Sequence, residues 1–112
     1  MKLVNAIIEV ETGGNCTARG KSGEYGCMQF LSSTWRLFSK EVYGEVREQT
    51  PERERYVATQ IIEMWMEDGH SAFEVALKWN GGTPTVKKGV NKYGVEYDTG
   101  AYARRVVALA SQ

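Results

Sequence analysis

Apolar residues recur at helical spacing through most of this chain. Val4, Ile7 and Ile8 stand at i, i+3 and i+4, one face of an amphipathic helix over residues 2–11. Position 11 continues that stripe but holds Glu11, and Thr12-Gly13-Gly14-Asn15 then breaks the helix. After a Gly-, Thr-, Lys- and Ser-rich loop comes the short apolar segment Tyr25 to Leu31. Ser32-Ser33-Thr34 is expected to cap a second helix carrying Trp35, Phe38 and Val42 and ending near Gly44. Thr50-Pro51-Glu52 is the clearest helix start, with an N-cap, a first-position proline and an acid in the first turn. Val57, Ile61, Met64 and Trp65 form the inner stripe of this third helix, and Gly69 ends it. Ser71-Ala72-Phe73-Glu74 reads as a capping box for a helix with Ala76 and Trp79, broken at Asn80-Gly81-Gly82-Thr83-Pro84. Residues 83–98 lose the helical period, and Val90 to Tyr97, centred on Gly94, suit a small hairpin. Thr99 is expected to cap a final helix with Tyr102, Val106 and Leu109 on one face. The pattern predicts a mainly α single domain over residues 1–112, with about five helices and no repeat or linker.

Glu11 is the residue most out of pattern. Burial opposes ionisation of a carboxyl group, so its pKa should rise toward that of a general acid. The other reading is an acid that swings into solvent at a frayed helix end. Trp35 and Trp65 sit at core spacings and read as packing residues. Trp79 differs, because it stands at a helix end beside glycines, where a cleft can open.

Composition narrows the field. The chain has 112 residues, 42% hydrophobic and 11% aromatic, enough for one core and too rich for disorder. Its 14 basic and 14 acidic side chains cancel, so nothing favours nucleic acid or anionic lipid as a partner. No apolar run is long enough to span a bilayer. The two cysteines, Cys16 and Cys27, and the single histidine, His70, lack metal-ligand spacing, so neither a metal nor another cofactor is expected. The cysteines read equally as a disulfide closing a short loop or as two thiols packed as small hydrophobes. No Gly-x-Gly-x-x-Gly, Walker or nucleophile-elbow pattern occurs. His70 reads as a surface residue at a helix C-terminus, and Lys87-Lys88 and Arg104-Arg105 as solvated pairs.

Four segments, in order, resemble one family. Glu11-Thr12-Gly13-Gly14-Asn15 resembles the catalytic glutamate segment of soluble lytic transglycosylases and goose-type lysozymes. Tyr25-Gly26-Cys27-Met28-Gln29-Phe30 with Ser33-Thr34-Trp35 resembles their Gly-x-Met-Gln segment and its sequel. Trp79-Asn80-Gly81-Gly82 is similar to their Tyr-Asn-Ala-Gly. Asp98 to Val106 resembles the closing Glu-Thr-x-x-Tyr-x-x-x-Val. The resemblance implies a lysozyme-like fold and a groove for peptidoglycan strands, in a protein expected to be monomeric. It implies Glu11 as the catalytic acid/base. Tyr25, Gly26, Met28, Gln29, Trp79, Asn80 and Tyr102 would be substrate-side residues, with Gly26 letting the backbone approach the sugar. A protein working on the wall is periplasmic, extracellular or phage-delivered. Residues 1–5 lack the apolar core of a signal peptide, so export would need a removed segment or another route.

Departures bear on the reaction. Trp79 replaces a tyrosine, Cys27 a leucine and Asp98 a glutamate, and Gly13-Gly14 loosens the turn after Glu11. Hydrolysis of a glycoside normally uses two carboxylates. The goose-type aspartates match Gly20 and Leu31 here, which cannot act as bases. Glu24 and Asp98 are the remaining candidates for a second carboxylate, Glu24 reading more readily as a solvated loop charge. One carboxylate favours a lyase that closes a 1,6-anhydro ring over a hydrolytic muramidase. A non-catalytic wall-binding module is the reading from another class.

Overall fold

The computed structural model describes residues 1–112. Five helices and one hairpin follow in order. They are α1 (Lys2–Thr12), α2 (Ser32–Tyr43), α3 (Pro51–Glu67), α4 (Ala72–Gly81), β1 (Lys88–Val90), β2 (Glu96–Asp98) and α5 (Thr99–Ala110). This is the mainly α, lysozyme-like architecture that the pattern predicts. The apolar faces of α1, α3, α4 and α5 meet in one core. Val4 and Ile7 of α1, Val57 and Ile62 of α3, Val75 of α4 and Val106 of α5 are sealed from solvent within it. α5 packs chiefly against α4 and α1, which brings the chain's two ends to one side. No helix is long and apolar enough to cross a membrane.

Thr50 caps α3 by accepting the Arg53 N–H at 3.2 Å, and Ser71 with Glu74 completes the capping box of α4. Two expected caps differ. Leu31, not a Ser32–Thr34 hydroxyl, precedes α2, which begins without a side-chain cap. Asp98, not Thr99, caps α5, accepting the Ala101 N–H at 3.1 Å. Thr99 is instead buried, its hydroxyl accepting the Lys87 N–H at 2.8 Å and so tying the hairpin to α5. The hairpin is antiparallel with Val90 opposite Glu96, beginning two residues before the expected limits and ending one residue after them. On α3, Met64 points to solvent at 40% exposure, and the buried stripe runs Glu54, Val57, Ala58, Ile61, Ile62.

Candidate active site

The segment between α1 and α2 wraps the end of α1. It has little regular structure and is held by short links. Tyr25 and Phe30 exchange backbone hydrogen bonds at 2.9 and 3.0 Å, and Gly26 N–H donates to the Ala18 carbonyl at 3.0 Å. Thr12, in the last turn of α1, donates its hydroxyl to the Cys27 carbonyl at 2.8 Å. Cys16 and Cys27 form a disulfide across 11 positions, which selects between the two readings of the cysteines. It staples the segment beside Glu11, and closing a loop of this size contributes about 3 kcal/mol.

Beneath the segment lies a buried acid that the helical pattern did not mark. Glu54, in the first turn of α3, is 1% exposed. Burial raises its pKa, and hydrogen bonds from the backbone N–H groups of Met28 and Cys27 and from the Gln49 side chain oppose the rise. The Met28 bond measures 3.2 Å. The Gln49 amide also donates to the Tyr25 carbonyl at 2.9 Å. Glu54 therefore acts as a mould for the 25–29 turn. Gly26 has a φ of 95°, and a Cβ there would stand 2.7 Å from Glu54 Cδ. Only glycine fits the position. Gly26 is thus required by an internal carboxylate and does not border the cleft, contrary to the expectation that it meets substrate. Gln29 follows with a φ of 56°, the one non-glycine residue in the left-handed region. Its amide donates to Ala18 O at 3.0 Å and Gly26 O at 2.8 Å, which holds the strained backbone.

A cleft of about 600 Å³ opens above this turn. Glu11, Glu24, Met28 and Gln29 line one side, and Trp79, Asn80, Gly81 and Gly82 the other. The floor and far wall are aromatic. Phe30 and Trp79 meet edge to face at 5.4 Å, and Trp65 and Trp79 at 6.1 Å. Trp65, expected to be pure packing, borders the cleft with Lys78 Nζ 4.5 Å above its ring. Trp35 is a core residue, 5% exposed, its indole N–H donating to the Arg47 carbonyl at 2.7 Å. Tyr25 lies outside the cleft under the Arg19 guanidinium, 4.6 Å from its ring centre. Asp98 also lies outside, spent on capping α5 and 3.8 Å from Lys88 Nζ, which removes it as a second carboxylate. The Ala101 N–H bond is the main cause of its lowered pKa.

Glu11 stands on this cleft near the C-terminal end of α1. Its carboxyl is pushed from 4.5 up to about 7, chiefly by burial and further by the Glu24 charge, against a hydrogen bond from Tyr102. The Tyr102 hydroxyl donates to Glu11 Oε2 at 3.1 Å across the α1–α5 contact. Burial, then the Glu11 charge, raises the tyrosine's own pKa well above its ordinary value, so it stays a donor. Glu11, the Met28-Gln29 turn and the Trp79-Asn80-Gly81 corner thus border one cleft, and all lie within a span that matches a known family. The family model described as Transglycosylase SLT domain matches residues 1–99. This chain belongs to that family. No curated protein matches it. Membership brings peptidoglycan as the substrate class and lytic transglycosylase chemistry as the general activity. Tyr102 lies beyond the matched span of the SLT domain, so its place rests on the hydrogen bond alone. Glu54 and Trp65 were missed in the sequence. An acid on the buried stripe of α3 was the available signal for Glu54, whereas nothing local marks Trp65.

Proposed function

We propose that this SLT domain, over residues 1–112, cleaves the β-1,4 bond between N-acetylmuramic acid and N-acetylglucosamine, with Glu11 as acid and then base. The observation that carries the reading is a glutamate with a pKa of about 7, held by one hydroxyl donor and facing an open cleft. Near neutral pH such a group is populated both with and without its proton. Protonated Glu11 donates to the glycosidic oxygen as the bond to the muramoyl C1 breaks. The muramic N-acetyl oxygen stabilises the cationic centre from within the sugar. Glu11, now a carboxylate, removes the proton of the C6 hydroxyl, whose oxygen closes the 1,6-anhydro ring. One side chain returns to its starting state without an external base.

Gln29, Met28, Trp79 and Asn80 line the same cleft and serve as the sugar-binding set. The Trp79 and Trp65 rings give a stacking surface, and the Asn80 amide offers donors and an acceptor. Gln29 keeps its amide oxygen for substrate, because its N–H groups are used within the turn. Activity on the wall places the protein in the periplasm, outside the cell or in phage-delivered form.

Clearing of purified cell walls by wild type and Glu11→Gln tests the assignment. The expected loss is about 1000-fold or more. Equal clearing by the two proteins sinks it, and no clearing by either favours a binding module that keeps the fold. Mass spectrometry of the released fragments should find anhydromuramic ends.

A further inference from the structure

One buried side-chain oxygen in this protein has no hydrogen-bond partner, Oε1 of Glu24. Leaving a buried acceptor unpaired costs about 1–3 kcal/mol, more for a charge. A loop glutamate normally avoids that cost by turning to water. Glu24 is held otherwise. Its carbonyl accepts the Gly20 N–H at 2.9 Å, and Gly23 N–H donates to Gly20 O at 3.2 Å, which closes a tight turn. The side chain folds back over Gly20, where a Cβ would stand 2.7 Å from Glu24 Cδ. The carboxylate thus fills the space that a side chain at position 20 would occupy. An acid reaches that place from four residues downstream, and Glu24 lines the same cleft as Glu11.

We propose that Glu24 is a second catalytic carboxylate, a water-activating base that gives this cleft a hydrolytic branch beside the anhydro-forming one. The inference rests on Glu11 being the acid. Glu11 gives its proton to the glycosidic oxygen as the bond from that oxygen to the muramoyl C1 breaks. A water oxygen bonds to C1, and Glu24 takes the proton that this water loses. Proton exchange with solvent then restores Glu11 as the acid and Glu24 as the base. One water is consumed, and the fragment ends in a reducing N-acetylmuramic acid, heavier by that water than the anhydro form. Gly20 is a positioning residue for Glu24.

Digestion of purified peptidoglycan in heavy-oxygen water, read by mass spectrometry, separates the branches. Wild type is expected to release anhydro ends together with hydrated ends that carry the label. Glu24→Gln should lower the ratio of hydrated to anhydro ends by about 100-fold. Gly20→Ala, which displaces the carboxylate, should lower the ratio in the same direction. Thermal unfolding of each variant checks that it is folded. Anhydro ends alone from wild type overturn the proposal whatever the variants do, as does an unchanged ratio in folded Glu24→Gln. Loss of all fragments from wild type defeats the Glu11 reading itself, and is distinct because neither mass appears.

Discussion

Two glutamates of this protein share a sequence signature and have opposite surroundings. Glu11 continues the apolar stripe of α1, and Glu54 begins the apolar stripe of α3. Burial raises the pKa of both. Glu54 is enclosed, with two backbone N–H groups and the Gln49 amide spent on its carboxylate. Glu11 has one donor, Tyr102, and otherwise faces the cleft. A carboxylate with several donors organises the backbone around it. A carboxylate with one donor and an open side keeps a proton at neutral pH and has somewhere to deliver it. An acid out of pattern therefore signals a demand for an internal carboxylate, and its neighbours decide whether the demand is architectural or chemical.

The strongest way to break this comparison is to neutralise each acid. Glu11→Gln should abolish cleavage and yet stabilise the fold. The folded pKa of Glu11 lies above its unfolded value, so the native state holds the proton longer. Its contribution is present below pH 4.5 and is lost as pH rises to about 7. Above that range, removing the charge should raise stability by about 1–3 kcal/mol, the upper part following from the size of the shift. Denaturant unfolding at pH 8 reads this, and a destabilised Glu11→Gln contradicts it. Glu54→Ala should do the reverse, costing about 2–4 kcal/mol, because it strands two buried N–H groups and opens a cavity. An unfolding midpoint like that of wild type would show that the turn does not depend on Glu54.

Smaller changes sharpen the contrast. Gly26→Ala drives a methyl into the Glu54 carboxylate at a positive φ and should cost about 2 kcal/mol. A normal midpoint for this variant would mean that the turn has another way to settle. Tyr102→Phe removes the one bond that lowers the Glu11 pKa. Its rate should fall about tenfold, and the limb of the pH–rate profile set by Glu11 should move to higher pH. A limb that stays in place or moves to lower pH would separate Tyr102 from Glu11.

The helices were legible where capping chemistry is unambiguous. Thr50-Pro51 and Ser71 with Glu74 each offer a single start, and the structure uses them. Ser32-Ser33-Thr34 and Asp98-Thr99 offer several possible caps within a few residues, and tertiary packing chose differently. Met64 fitted an i, i+3, i+4 pattern, but α3 buries the phase through Ile62 instead. Motif order led to Glu11, Met28, Gln29, Trp79 and Asn80, all of which line the cleft. Gly26 was noticed for its missing side chain and assigned the wrong neighbour, because its clash lies with a residue 28 positions away. Trp65 on the wall and Glu24 over Gly20 depend on contacts that no local pattern encodes.

Glu11 exchanges its proton with water near neutral pH and serves as the acid in both ways of cleaving the bond. NMR of protein labelled at glutamate carboxyl carbons, with Glu11→Gln assigning the resonance, follows that proton directly. The expected Glu11 midpoint is about 7. A midpoint at the ordinary value of 4.5 would contradict it.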